Sequence, residues 1–355
     1  MIDRADDLVL VRASPFNAET PYRALAEPIT PVASHYVRSN FPLPSHGGML
    51  TVGGSVANPL RLSLADIAAM PAVTVPVTLE CAGNGRVGMQ PLPVGEPWAG
   101  TAVGTASWTG VPLASVLALA GPDSRAVEVA FLGADNGPYK GGETVHFGRS
   151  LAIGRALDPT ALILIATMMN GDPLTPDHGA PLRLVVPGWY GMASVKWLDR
   201  IEVRDDPFDG PYQVRSYVYE WDDGLPEPVS SARVRALVVD PAPGAVIGLG
   251  PRTVRGWAWS GGTAVTAVEL STDGGDAWRN AELGEPVGDW AWRPWSCDWT
   301  PGGEGRHVLR ARATTVTGET QPDRPRWNRQ GYGNNATLAV VVDVRANGRD
   351  EGEGR

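Results

Sequence analysis

Along the chain, the period of hydrophobic and polar positions changes from segment to segment. Up to about residue 45 no period is sustained, and prolines at 15, 21, 28, 31, 42 and 44 predict an extended arm. From about 49 to 205 two kinds of stretch mix. VTVPVTLE (73–80) and RLVVP (183–187) are apolar, β-branched runs and predict strands. LSLADIAAM (62–70), VPLASVLALAG (111–121) and SLAIGRALD (150–158) have helical spacing, the second stopped by Gly121-Pro122. ALILIATMMNG (161–171) predicts a buried strand closed by an Asn-Gly turn. Residues 205–232, rich in Pro, Asp and Gly, predict a linker. From about 233, RVRALVVD, RTVRGWAWS, AVTAVELSTDGG, HVLRARATTVTG and ATLAVVVDV predict successive strands separated by turn signals. That spacing predicts a β-sandwich of immunoglobulin-like type. The expected organisation is a first domain over 1–230, a sandwich over 231–345, and a polar, disordered tail over 346–355.

Composition sharpens this picture. At 355 residues the chain is long enough for two domains, and its 43 Gly and 32 Pro match many turns and short strands. The net charge is −9 with no basic run, which argues against nucleic acid as a partner. No stretch approaches the roughly 20 apolar residues needed to span a membrane. The N-terminus, MIDRADDLVLVRASPF, lacks the basic and apolar regions of a secretory signal, so the chain is expected to be cytoplasmic, or periplasmic if the numbering omits a leader. Two distant cysteines do not make a disulfide framework.

One of those cysteines lies in LECAGNGRVG (79–88), where Gly83 to Gly88 spell Gly-x-Gly-x-x-Gly after a predicted strand. A dinucleotide loop would open a helix here, but MQPLPVGEPWAG follows, with prolines at 91, 93 and 97. A zinc site would need a closely spaced Cys or His pair, which Cys81 lacks. A nucleophilic Cys81 served by His178, or a small buried Cys at a strand end, both remain open from the residues alone.

The surrounding blocks add information. SHYVRSNFPLP, ECAGNGR, GEPW, FLGADNG, MNGDPLTPDHGAPLRLVVPGWYGMASVKWL and RPRWNRQGYG, taken in order from about 35 to 345, resemble the sulfite oxidase family of molybdenum enzymes in its bacterial form. The resemblance implies an α+β molybdopterin-binding domain followed by the sandwich, with the second domain used to dimerise. It implies one molybdenum–molybdopterin per chain with Cys81 as the metal's protein ligand; a soft thiolate suits that metal. The cofactor cradle would be Arg38, Asp135, His178, Arg183, Ser194, Val195 and Lys196, with main chain from Tyr36 through Val37, Arg38 and Ser39 to Asn40. Arg38 and Arg86 would bind a small oxyanion such as sulfite, and Trp98 and Tyr217 would line its pocket. Arginine's planar fork suits two oxygens of such an anion.

The implied reaction is oxidation of sulfite to sulfate, with electrons leaving one at a time. Animal relatives carry a haem domain ahead of the molybdenum domain. Only about 35 residues precede the first matching block and no Cys-x-x-Cys-His is present, so no haem is expected and the acceptor should be external, such as a cytochrome c. Three positions depart from the animal pattern: Gly85 stands for Arg, Ser39-Asn40 for Asn-His, and Gln330 for an Arg, with Arg329 one step away. These changes remove positive charge. The rival activity is another oxotransferase of this fold, acting on nitrate or a sulfoxide. A rival of another class is a carbohydrate-binding sandwich, since eight of thirteen Trp lie between 257 and 327. Strand alternation accounts for those Trp as core and interface instead, and their surplus suits an aromatic subunit interface.

Overall fold

The computed structural model describes residues 7–221 and 224–346. Strands form where the β-branched runs predicted them. Val73–Glu80 pairs antiparallel with Val103–Pro112, which pairs with Leu164–Met169, which in turn pairs with Arg183–Val185. A second sheet runs in the order Leu60–Ser63, Met49–Gly54, Leu198–Arg204, Glu128–Pro138, Thr144–Ala152. Its one parallel pair is Met49–Gly54 with Leu198–Arg204.

Helices are few and short. Among the described residues the α-helices are Leu64–Ala68, Leu113–Ala120, Ile153–Leu157 and Pro211–Val214. The first opens on a capping box between Ser63 and Asp66, which satisfies donors that a helix start leaves free. The second buries Leu113, Val116, Leu117 and Ala120 and ends at Gly121, whose φ of 64° is the left-handed geometry that stops a helix. SLAIGRALD is helical only from Ile153. Its first three residues extend the strand Thr144–Ala152, because they pair with the Glu128–Pro138 strand. The helical share of the α+β first domain is therefore smaller than the spacing predicted.

The segment expected as a linker is packed structure. Val218–Tyr219 pairs with Glu227–Pro228, and Tyr212, Tyr217 and Tyr219 lie buried in the core of the first domain. The tail expected to be disordered falls outside the described residues from 347 on.

Beyond it, two sheets share one core. Arg235–Asp240, Arg252–Trp259 and Arg293–Trp299 form one face; Val265–Ser271, Gly305–Thr315 and Val340–Val344 form the other. Val254, Trp295 and Trp299 from the first sheet meet Leu270, Leu309 and Val342 from the second. Of the remaining Trp residues, Trp278, Trp290 and Trp327 are half-buried. Trp257, Trp259 and Trp292 are buried against the first domain, with Trp257 and Trp292 stacked at 4.9 Å. Trp257 Nε1 donates to Leu25 O at 2.6 Å, and Trp292 Nε1 donates to Pro28 O at 2.9 Å. The arm is thereby clamped between the domains. A buried Trp removes on the order of 200 Å² from water. At about 25 cal/mol per Å² that is roughly 5 kcal/mol each as an upper bound.

Candidate active site

Cys81 sits at the end of the strand Val73–Glu80, buried, with its N–H donating to Ala102 O at 2.9 Å. A tight turn follows. Asn84 N–H donates to Cys81 O, and Gly85 takes φ of 75°, a geometry glycine adopts without a Cβ clash. Only the three-residue turn Arg86–Gly88 comes next, so no helix N-terminus is offered to a pyrophosphate. Burial pushes the Cys81 thiol up, while Arg38, the Gly83 N–H and Arg86 draw it down. Among the described residues no three His, Cys, Asp or Glu side chains are grouped as metal ligands. A metal at Cys81 would need most of its ligands from a bound organic group.

Two cavities meet at Cys81. The inner one, about 60 Å³, is lined by Tyr36 to Asn40, Asp135, His178, Arg183, Ser194 and Lys196, together with His35, Asp177 and Met192. Ten of the eleven residues expected in the cradle therefore line one cavity. Val195 is the exception: its side chain is buried in the apolar core with Leu182 and Leu184, and its carbonyl accepts from Leu184 N–H at 2.8 Å. The main chain from Tyr36 to Ser39 is less available than expected. Tyr36 N–H donates to Thr20 Oγ1, Val37 N–H to Ala18 O and Ser39 N–H to Asn17 Oδ1. The strand Asn17–Glu19 thus orders this segment.

The inner cavity concentrates buried charge. Lys196 Nζ donates to Ser39 Oγ and to Asp177 O, both at 2.9 Å. Arg183 donates to His178 O and Ser194 O and lies 4.6 Å over the Trp108 ring. Burial, then the neighbouring Arg183 charge, lowers Lys196 to about 7, and burial raises Asp135 to about 7 against the pull of Lys196. Burial holds Arg183 down to about 10. Asp135 Oδ1, Arg183 Nε and His35 Nε2 are buried without a hydrogen-bond partner. Buried polar atoms are rarely left so. The cations Arg38, Arg183 and Lys196 around one small cavity, with unsatisfied polar atoms on Asp135, Arg183 and His35, fit a polar, anionic heterocycle bearing a phosphate.

The outer cleft, about 550 Å³, opens from Cys81 past Arg38, Arg86, Trp98 and Tyr217, the four other residues expected at the reacting centre. Trp98 is fully buried. Tyr217 has φ of 57°, uncommon without glycine, stacks on Tyr332 at 5.2 Å, and its hydroxyl accepts from Asn40 Nδ2 at 3.4 Å. Arg86 is anchored: Nε and Nη2 donate to Gln330 O at 3.2 and 3.0 Å, and Nη1 to Glu96 O at 2.6 Å. With five donors on a guanidinium, two remain. Gln330 is buried and its amide donates to Arg215 O and to the Glu220 carboxylate. Arg329 also lines the cleft, with its side chain 78% exposed and paired at 3.8 Å with Glu220.

Sequence reading missed His35, Tyr332, Glu220, Lys140 and Arg149. His35 adjoins the matched Tyr36 and was within reach of that block. Arg149, buried beneath Tyr217 with its centre 5.8 Å from the ring, gave no signal in its strand.

Comparison with known proteins gives the family. Residues 43–212 match the model of the oxidoreductase molybdopterin binding domain, and 227–345 that of the Mo-co oxidoreductase dimerisation domain. Sulfite oxidase of Gallus gallus is 38% identical over 343 residues, 89% of this chain and 74% of that protein. The chain belongs to the sulfite oxidase family. It is a molybdopterin-dependent oxidoreductase of that family. Mitochondrial sulfite oxidase of Mus musculus is 38% identical over 93% of this chain, which spans only 64% of that protein's length. Nitrate reductase [NADH] of Petunia hybrida is 32% identical over 97% of this chain and 42% of its own. Among solved structures, the sulfane dehydrogenase SoxCD from Paracoccus pantotrophus superposes with a TM-score of 0.82 at 28% identity, covering 96% of this chain and 87% of that one.

Proposed function

We propose that this enzyme oxidises sulfite to sulfate and passes electrons one at a time to an external acceptor such as a cytochrome c. The observation that carries the reading is the meeting of two cavities at Cys81, a small one lined by Arg38, Arg183 and Lys196 and a larger one lined by Arg38 and Arg86. Cys81 would ligate the metal; Arg183, Lys196, His178 and Asp135 would hold the pterin and its phosphate. When bound, the molybdenum–pterin supplies two-electron oxidation with oxygen-atom transfer. The two free N–H groups of Arg86, with the Arg38 guanidinium held by Asn17, Ser39 and Asn40, would orient the anion's oxygens. Tyr217, held by Asn40 and Tyr332, presents a hydroxyl beside Cys81, and Trp98 keeps water from that wall. A local cationic pocket draws an anion into a protein of net charge −9, because focusing in a cleft is local.

Nitrate reduction is the second reading, supported by the likeness to the Petunia enzyme over 97% of this chain. Protein expressed with molybdate should carry one molybdenum per chain and consume sulfite with ferricyanide. Cys81→Ser should abolish turnover while Cys297→Ser, altering a cysteine buried in the sandwich core, should not. Nitrate loss driven by a reduced dye, without sulfite turnover, would replace the first reading by the second. We also infer a homodimer through an immunoglobulin-like second domain, checked by sedimentation, and a cytoplasmic enzyme, checked by cell fractionation. No described helix is long and apolar enough to cross a membrane.

A further inference from the structure

Immediately before Cys81 the strand ends on Glu80, a carboxylate buried to 2% exposure that the proposed reaction does not use. Every contact that satisfies it converges on the Cys81 turn. Its Oε1 accepts from Arg235 Nη1 at 2.7 Å and from Asn84 Nδ2 at 3.0 Å; its Oε2 accepts from Trp259 Nε1 at 2.9 Å. Arg235 and Trp259 belong to the second domain and are direct partners across two neighbouring strands, which places both donors on one carboxylate. The same domain grips the turn after Cys81. Gly333 N–H donates to Ala82 O at 2.8 Å, Asn334 Nδ2 donates to Gly85 O at 2.6 Å, and Asn334 O accepts from Arg235 Nη1 at 3.0 Å. The thiol is thus bracketed on both sides by Arg235, Trp259, Gly333 and Asn334, none of which lines either cavity.

We propose that Arg235, with Trp259, is a positioning residue of the reacting centre: it neutralises and aims Glu80, so that the second domain fixes where the Cys81 sulfur stands. The idea rests on the reading of Cys81 as the metal's ligand. A buried carboxylate beside a thiolate repels it unless a cation compensates, and a surplus charge there would distort or expel a ligand of fixed geometry. A sub-ångström shift of a ligating sulfur changes chemistry more than binding, because substrate is held by other residues.

The test uses the molybdenum-loaded enzyme and its variants Arg235→Met, Arg235→Lys and Trp259→Phe. Val254→Ala, which perturbs the sandwich core away from the turn, serves as a control for general destabilisation. Arg235→Met should lower kcat per bound molybdenum by about tenfold to hundredfold with KM for sulfite within about twofold. It should also shift the visible absorption of the thiolate–metal bond, or lose the metal while staying folded. Arg235→Lys should recover part of both effects. Val254→Ala should show neither, even at an equal loss of thermal midpoint. If Arg235→Met does not fold, Trp259→Phe, which removes only one donor, should give a smaller change in the same direction. An unmoved absorption band and kcat in the folded variant would overturn the proposal. Full activity with an intact band in Cys81→Ser would instead show that the ligand reading itself is wrong, and the positioning idea would go with it.

Discussion

At the scale of single residues, the same group often serves both scaffold and chemistry. Arg86 spends three donors on the carbonyls of Glu96 and Gln330 and keeps two for a ligand. Loss of a charge-assisted contact to an anion costs about 1.5–3 kcal/mol, roughly a tenfold to hundredfold effect. Arg86→Gln should therefore raise KM for sulfite by that factor and weaken inhibition by sulfate; steady-state rates against both anions check it, and an unchanged KM would remove Arg86 from the site. His35 offers a pH prediction. Burial holds it down to about 4 from an ordinary 6.5, against hydrogen bonding from the main chain, so it is neutral in the folded protein. The unfolded chain takes up this proton below about 6.5, so stability is fully present above that pH and is lost as pH falls toward 4. The difference corresponds to about 3 kcal/mol. Urea midpoints of the cofactor-free protein between pH 4 and 7 should fall in that window, and His35→Phe should flatten the decline. A decline equal in both proteins would assign it elsewhere.

At the scale of elements, the turn after Cys81 is the most constrained piece of backbone. Gly85 needs a left-handed φ, and a Cβ there would stand 3.2 Å from Asn334 Nδ2 and 3.3 Å from Arg235 Nη2. Gly88, three residues on, has no such φ and would meet Asn334 Nδ2 at an ordinary 3.6 Å. Gly85→Ala should cost about 1–2 kcal/mol from φ alone, and Gly88→Ala should stay within about 0.5 kcal/mol. Chemical denaturation of the two variants decides; equal costs would mean that φ and crowding at Gly85 do not matter. This turn was read correctly from sequence as a strand end without a following helix, because prolines and glycines act locally. The segment 205–232 was read as a linker because Pro, Asp and Gly dominate it. Its buried Tyr212, Tyr217 and Tyr219 owe their places to partners far along the chain, such as Tyr332.

At the scale of the whole molecule, the two domains are joined by buried aromatic side chains rather than merely tethered. Trp292 stacks on Trp257, donates to Pro28 O, and its N–H donates to Thr78 Oγ1. Large aromatic truncations in cores cost about 3–5 kcal/mol. Trp292→Ala should lower stability by that amount and separate one calorimetric transition into two, since the clamp couples the domains. A single sharp transition, unchanged in midpoint, would show that the domains are coupled by other contacts.

The sequence by itself determined the strand runs, the Gly121 stop and the change of character near 233, while Cys81 and its ring of cations came from the family resemblance of its ordered blocks. These signals are local: a period, a breaker, or a residue type at fixed spacing. Only the tertiary structure decided that Val195 turns into the core and that Gln330 rather than Arg329 sits against Arg86. It alone buried Trp257, Trp259 and Trp292 against the first domain and seated Arg235 on the carboxylate beside Cys81. Each of these depends on which distant segment is packed against a side chain, 155 residues away for Glu80 and Arg235. Hydrophobic period says that a position is buried, but it carries no information about the neighbour that buries it.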